Sequence, residues 1–158
     1  MYPGHYIEAL EIRKEVCLIA LGRVELTHQF REPLTIKLEH RQQSCLVKGF
    51  SIRRELPNPI ESSISQYYQS NADEYLYAAN CHTGEIVFDN CNITSSKSYS
   101  VYSTANKLII LNSRLSSSAS SSILVYGKNS ELILRDSVIS GSSSQGVELR
   151  RTQSGAVI

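Results

Sequence analysis

One stretch of the sequence decides the fold: Lys107-Leu108-Ile109-Ile110-Leu111-Asn112-Ser113-Arg114-Leu115-Ser116. Similar stretches begin at Glu85, 22 residues earlier, and at Glu131, 24 residues later. Gly155 starts the pattern once more, and Ser44 starts a copy that lies 41 residues before Glu85. A repeat of this length indicates a solenoid, in which each coil stacks on the previous one. The longer spacing after Ser44 predicts an insertion between coils, at residues 53–74.

One column of the repeat holds residues that tolerate a left-handed backbone. It lies between two short apolar runs and contains Gly49, Asn90, Asn112 and Asp136. Gly, Asn and Asp adopt this backbone region at the least cost, and a coil needs such a residue where it bends sharply between two strands. We therefore predict a structural turn ladder with a spacing of about 5 Å, along which side-chain amides can hydrogen-bond.

Apolar residues alternate with others on both sides of this bend, as is typical of strands with one buried face. A second strand is predicted eight residues before each repeat start, at Ile36, Tyr77, Tyr99, Ile123 and Val147. Helical periodicity is nearly absent. The sequence thus predicts an all-β fold, a single parallel β-helix (solenoid) domain over residues 1–158, with about six coils and repeats of 22–24 residues.

The N-terminal residues resemble the opening of a known class of β-helix. Residues 3–22 read Pro-Gly-His-Tyr-Ile-Glu, then an alternating strand, then Lys14, then a second apolar strand that ends at Gly22. This pattern resembles right-handed parallel β-helices of the CASH and pectin-lyase-like type, which include pectinesterases, β-helix F-box proteins and the Shc SH2-domain-binding protein. The resemblance implies a right-handed coil and a cytosolic scaffolding role, for instance in cell division or in substrate capture by a ubiquitin ligase.

The acidic residues of the repeat do not predict a catalytic site. Pectinesterases place one aspartate in a Gly-x-x-Asp-Phe-x-Phe-Gly segment, of which Val87-Phe88-Asp89-Asn90 is only an echo. Asp89 shares its column with Leu111 and Arg135, so acids do not converge as general acid–base or metal chemistry requires. We expect no enzyme activity, no cofactor and no metal site.

The alternative is a carbohydrate-binding or polysaccharide-active protein. An enzyme of this kind needs Asp89, Arg135 and another acid to converge on one groove. A sugar-binding protein needs exposed aromatic platforms, and the repeat phase places Tyr77 and Tyr99 inward, which argues against them.

Charge and composition limit the classes of partner that the sequence predicts. The chain has 16 basic and 15 acidic residues, so neither a nucleic-acid surface nor a polybasic membrane surface is indicated. No apolar run reaches the roughly 18 residues of a membrane span, and residues 1–4 do not resemble a signal peptide. We therefore expect a cytoplasmic protein. Four cysteines should then stay reduced and pack as small apolar residues in the core, namely Cys17, Cys45, Cys81 and Cys91.

The outward side of the repeat carries a column of aliphatic residues. With Ile86 and Phe88 inward, this column is Leu46, Val87, Ile109, Ile133 and Val157. Such a column is unusual on a soluble monomer and can mark an interface, unless the insertion covers it, and the sequence leaves both alternatives open. The insertion adds Arg53 and Arg54, which suit an acidic group, and Tyr67 and Tyr68, which are good interface residues. We predict a protein-interaction scaffold module.

The ends of the repeat array suggest contacts with other chains. Val157 and Ile158 begin a coil that does not close, and the first strand has no capping helix before it. An uncapped coil leaves strand edges and core open. We expect a piece of a longer chain or assembly, with end-to-end or edge pairing.

Overall fold

The computed structural model describes residues 1–28, 31–55, 77–96, 98–118, 120–150 and 156–157. Within these residues the secondary structure consists of strands: β1 (Gly4–Ile7), β2 (Leu10–Ile12), β3 (Val16–His28), β4 (Leu34–Ile36), β5 (Ser44–Arg54), β6 (Ala79–Cys81), β7 (Glu85–Asp89), β8 (Asn92–Ser95), β9 (Val101–Ser103), β10 (Lys107–Leu111), β11 (Arg114–Ser117), β12 (Ile123–Tyr126), β13 (Glu131–Arg135), β14 (Val138–Ser140), β15 (Val147–Arg150) and β16 (Ala156–Val157). A helix long and apolar enough to cross a membrane does not occur in this part of the chain.

The strands wind into a parallel β-solenoid of about five turns with repeats of about 24 residues, close to the predicted coil number. Each full turn contributes to three faces. Face 1 contains β7, β10, β13, β16 and the first halves of β3 and β5. Face 2 contains β1, β8, β11, β14 and the second halves of β3 and β5. Faces 1 and 2 belong to one ten-stranded sheet, and face 3 is the six-stranded sheet of β2, β4, β6, β9, β12 and β15.

The bend between faces 1 and 2 is the predicted turn ladder. All four residues have a positive φ: Gly49 (81°), Asn90 (52°), Asn112 (49°) and Asp136 (50°). The main chain stacks them, because the N–H of Asn90 donates to the carbonyl of Leu111 at 3.1 Å and that of Asn112 to the carbonyl of Arg135 at 3.1 Å. The side-chain amide of Asn112 donates to Asp89 instead, at 3.0 Å.

Inward residues of the three faces form the core. In β10, Leu108 and Ile110 are 0% exposed, whereas Ile109 between them is half-buried and points outward. Ile110 pairs with Phe88 in β7 and with Leu134 in β13, so like positions stack along the coil axis. Each such aliphatic or aromatic side chain contributes about 1.5–3 kcal/mol by leaving water.

The second strand is correctly predicted in phase but wrongly aligned between coils. On face 3, Ala79 pairs with Val101 and Val101 with Ile123, so Tyr77 and Tyr99 lie two residues before the positions that match Ile123. The coil with 24 residues has its two extra residues in the turn between β12 and β13. The prediction placed the second strand eight residues before every repeat start and so did not allow for this difference in turn length. Because the error is an even number of residues, alternation within the strands is predicted correctly, but Tyr77 and Tyr99 lie before β6 and β9 rather than in them.

Serines close the corner between faces 2 and 3. The Ser95 hydroxyl accepts from the N–H of Ser98 at 3.1 Å. One coil later the Ser117 hydroxyl accepts from the N–H of Ser120 at 3.2 Å and donates to the carbonyl of Ser98 at 2.6 Å. Buried main-chain groups need such partners, and a short hydroxyl side chain supplies them without filling the corner.

Candidate functional site

Face 1 presents the aliphatic column at the predicted register. Leu46 pairs with Val87, Val87 with Ile109, and Ile109 with Ile133, which in turn pairs with Val157. The side chains of the first four are half-buried, since each has neighbours about 4.8 Å above and below it. We call Leu46, Val87, Ile109 and Ile133 the aliphatic stripe.

Charged columns flank the aliphatic stripe on both sides. On one side, the Lys107 ammonium lies 3.7 Å from the carboxylate of Glu85 and 3.7 Å from that of Glu131. On the other side, Lys48 lies 2.7 Å from Asp89. The stripe therefore has an apolar centre and a charged rim.

The carboxylate of Asp89 is held by hydrogen bonds within the chain. Its carboxylate accepts hydrogen bonds from Lys48 and from Asn112, and these bonds hold its pKa below the ordinary value. The same contact raises the pKa of Lys48. Leu111 separates Asp89 from Arg135 in the column, as the sequence predicts. The carboxylate that the enzyme hypothesis needs is thus engaged with its own chain.

Arg53 and Arg54 point to opposite sides of β5. Arg53 lies on the surface, 3.3 Å from Glu25 and 3.2 Å from Glu55. Arg54 is only 3% exposed, and it donates to the carbonyl of Arg31 at 3.2 Å. The prediction of Arg54 as an interface residue is wrong, because strand alternation turns its side chain inward.

The predicted insertion at 53–74 lies outside the described residues beyond residue 55. Tyr67 and Tyr68 fall in that part, so their predicted role as interface residues stays a prediction.

Tyrosines gather on the outer side of face 3. The rings of Tyr77 and Tyr102 stack with centroids 4.5 Å apart and an interplanar angle of 9°. Tyr99 lies 6.0 Å from Tyr77, and its hydroxyl donates to Glu148 at 3.1 Å. Tyr102 and Glu148 both belong to the outward column that contains Leu124. The predicted inward orientation of Tyr99 is therefore wrong, whereas Tyr77 is buried, with 7% of its surface exposed. We call Tyr77, Tyr99 and Tyr102 the tyrosine cluster.

All four cysteines are free thiols. Burial raises the pKa of Cys45 and of Cys91 to about 11, and it also raises that of Cys81 well above its ordinary value. Cys17 is exposed, so its prediction as a core residue is wrong: it pairs with Leu46 and extends the outward column. No group of three or more His, Cys, Asp or Glu residues in the described ranges is placed to hold a metal ion.

A cleft of about 240 Å³ opens at the bend between faces 1 and 2. Polar residues of several coils contribute to its lining: Arg23, Ser51, Asn90, Asn92, Asn112 and Arg114. Sequence reasoning missed this cleft, because it forms where side chains of several coils meet. The available signal was the turn ladder itself, which brings the bends of successive coils together.

No family model, no curated protein and no solved structure matches this chain. The parallel β-solenoid rests on the strand register, and the resemblance of residues 3–22 to CASH and pectin-lyase-like proteins remains an expectation.

Proposed function

We propose that this chain is a non-catalytic protein-interaction module, a scaffold that binds a protein partner through the aliphatic stripe on face 1. One observation carries the proposal: four aliphatic residues form a continuous outward column between two charged columns. Protein interfaces combine an apolar centre with a polar rim in this way. Contiguous apolar surface on a folded protein is a mark of such sites.

The aliphatic stripe is too small to form a stable interface by itself, so a partner must also contact the surface around it. Half-buried aliphatic side chains in one column leave on the order of 100 Å² exposed, worth about 2–3 kcal/mol when covered. A stable interface buries about 800 Å² on each partner. The partner therefore also contacts the flanking columns, where Lys107 with its two glutamates and Lys48 with Asp89 offer charges of both signs.

Two further features support the β-helix class and the cellular compartment of the proposed scaffold. The resemblance of residues 3–22 supports a right-handed β-helix scaffold of the kind found in the Shc SH2-domain-binding protein and in F-box substrate receptors. The four free thiols support a reducing compartment, in line with a cytoplasmic function.

A second candidate function is carbohydrate binding, which the tyrosine cluster favours. Tyr102 lies beside Asn80 on face 3, and the Asn80 amide donates to Glu32 at 2.9 and 3.0 Å. Aromatic rings next to a few polar groups are typical of small-ligand sites. It ranks second because Tyr77 is only 7% exposed and because Tyr77 and Tyr102 stack on each other, which uses one face of the Tyr102 ring.

The test of the protein-binding proposal is Ile109→Asp, with Ser116→Asp as the matched control. Ser116 also lies on an outward strand position, but on face 2. Partners are first identified by cross-linking to the wild-type chain and are then titrated as purified proteins. We expect Ile109→Asp to keep the unfolding midpoint of the wild type and to lose the partner, whereas Ser116→Asp retains it.

Two results would contradict the proposal. Partner binding that survives Ile109→Asp means that the stripe is ordinary surface. A large fall in the unfolding midpoint of Ile109→Asp means that the chain covers the stripe itself. The carbohydrate candidate is tested separately: glycan binding that Tyr102→Ala abolishes and Ile109→Asp leaves intact would favour it.

A further inference from the structure

The cleft at the bend between faces 1 and 2 is lined by residues of several coils. Three positions of the turn ladder, Gly49, Asn90 and Asn112, contribute to this lining. The cleft of about 240 Å³ accommodates a small polyatomic ligand together with waters, each of which occupies about 30 Å³.

Two arginines line this cleft from different coils. Arg114 lies two strands beyond Ser51 in the outward column of face 2, and Arg23 lies in β3, one residue before Val24, which pairs with Phe50 of β5. Their Cα atoms are therefore at least about three strand spacings, or roughly 14 Å, apart. Two extended arginine side chains can close on one group across that distance.

The charge of the cleft is not neutralised by the described chain. Both arginines are exposed, and the ion pairs among the described residues involve other cations. No acidic residue of the described ranges lines the cleft. Asp89, at the adjacent edge of face 1, is engaged by Lys48 and Asn112. The cleft thus presents positive charge to solvent.

Neutral hydrogen-bonding groups complete the lining. The carboxamides of Asn90 and Asn92 are exposed at the cleft, and the hydroxyl of Ser51 lies between them and the N-terminal coils. Amides and hydroxyls donate to the oxygens that a guanidinium group does not reach. The combination of two forked cations with neutral donors matches a ligand group that carries several equivalent oxygens.

We propose that this cleft binds a tetrahedral oxyanion, the phosphate or sulfate group of a ligand, with Arg23 and Arg114 as its charged contacts. Asn90, Asn92 and Ser51 supply neutral donors. The site goes beyond the protein-binding function proposed above and does not depend on it, because the aliphatic stripe lies on face 1 and the cleft lies at its edge.

The experiment titrates the ¹⁵N-labelled chain with sodium phosphate and follows the amide signals of Gly49, Ser51 and Asn92, against sodium chloride at equal ionic strength. We expect saturable shifts with phosphate only. Arg23→Gln and Arg114→Gln should each weaken binding by about tenfold or more, as expected for a lost charge-assisted contact. Arg135→Gln removes an exposed arginine that does not line the cleft, and it should leave the affinity unchanged.

Further arms of the titration distinguish the sources of the oxyanion. A phosphoserine peptide that binds at least about tenfold more tightly than inorganic phosphate assigns the group to a phosphorylated chain. Equal affinities assign it to a small free anion, and sulfate serves as the second anion. The proposal is overturned if chloride gives the same shifts, if both cleft arginine variants bind as the wild type does, or if Arg135→Gln weakens binding as much as they do.

Discussion

At the turn ladder, single residues set the path of each coil. A left-handed backbone costs an ordinary L-residue about 1–2 kcal/mol, and Asn and Asp pay less because their short side chains interact locally. Three of the four ladder positions hold such residues with φ near 50°, and the fourth is Gly49. The ladder therefore explains why the sequence repeats residue types at this column while its neighbours vary.

The backbone requirement predicts the behaviour of variants at Asn90. Asn90→Ala should lower the free energy of unfolding by about 1 kcal/mol or more, whereas Asn90→Gly should change it by less than about 0.5 kcal/mol. Asn92→Ala, in the adjoining strand, is the control for loss of a surface carboxamide. Urea unfolding measures all three. Equal losses for the Ala and Gly variants at position 90 would show that φ is not the determinant.

The pKa of Asp89 predicts a small dependence of stability on pH. Its pKa is lowered in the folded chain, chiefly by the hydrogen bond from Lys48. The stabilisation is therefore present above the ordinary aspartate pKa of about 3.9 and is lost as the pH falls through the folded value. The pair is partly exposed, so solvent screening keeps its contribution to stability small.

Lys48→Met should raise the pKa of Asp89 and reduce this contribution. The difference in unfolding free energy between the wild type and the variant should be largest near neutral pH and should shrink below about pH 4. Urea unfolding at a series of pH values measures it, and the Asp89 carboxyl signal gives the pKa directly. A difference that grows as the pH falls would contradict the assignment.

At the scale of the element, alternation along a strand separates core from surface. In β10, Leu108 and Ile110 are fully buried, and Ile109 belongs to the aliphatic stripe. Two isoleucines adjacent in sequence thus have opposite surroundings, and they form a natural matched pair.

Truncation of this pair should have unequal effects. Ile110→Ala should cost about 2–5 kcal/mol, because it removes buried atoms and leaves a cavity between Phe88 and Leu134. Ile109→Ala should cost less than about 1 kcal/mol, because its site is half-buried and can be filled by water. Urea unfolding of both variants provides the comparison, and similar losses would place position 109 in a covered environment.

The elements that could be predicted from sequence are those with a constant length. Faces 1 and 2 follow the ladder residue at fixed distances, so their registers were correct. The register predicted for face 3 was wrong by two residues, because the turn that follows the face 3 strand is longer after β12 than after β6 or β9. The predictions for Arg54 and Cys17 were wrong for a common reason. A charged side chain suggested the surface and a thiol suggested the core, whereas strand alternation points Arg54 inward and Cys17 outward. The cleft could not be predicted, since it depends on side chains of several coils meeting around Gly49.

At the scale of the whole molecule, strand pairing among the described residues joins adjacent coils. Central strands such as β7 and β10 pair on both sides, and their inward residues Ile86 and Leu108 are 0% exposed. Towards the outer coils, apolar side chains meet water: Val16 is 38% and Val138 is 47% exposed. Stability in such an array is a sum of coil and interface terms, so it should decrease from the centre outward.

Amide hydrogen exchange should reveal this gradient. We expect the slowest exchange in β5, β7 and β10 and faster exchange in β1, β2 and β15, because outer coils open without disrupting the rest. Mass spectrometry of exchanged peptides resolves the coils. Uniform protection along the chain would mean that the array opens only as one cooperative unit.

The serine corner and the turn ladder have an evolutionary consequence. Residues 107–130 form one complete coil, from Lys107 to the residue before its Cα partner Glu131. This segment contains its own left-handed residue at Asn112, its own inward pairs and its own corner hydroxyl at Ser117. A tandem duplication of the corresponding gene segment would add a layer of about 4.8 Å whose polar groups find partners in the layers beside it. The length of this protein is therefore open to change in whole coils, by copying or deletion, without redesign of the faces that its neighbours present.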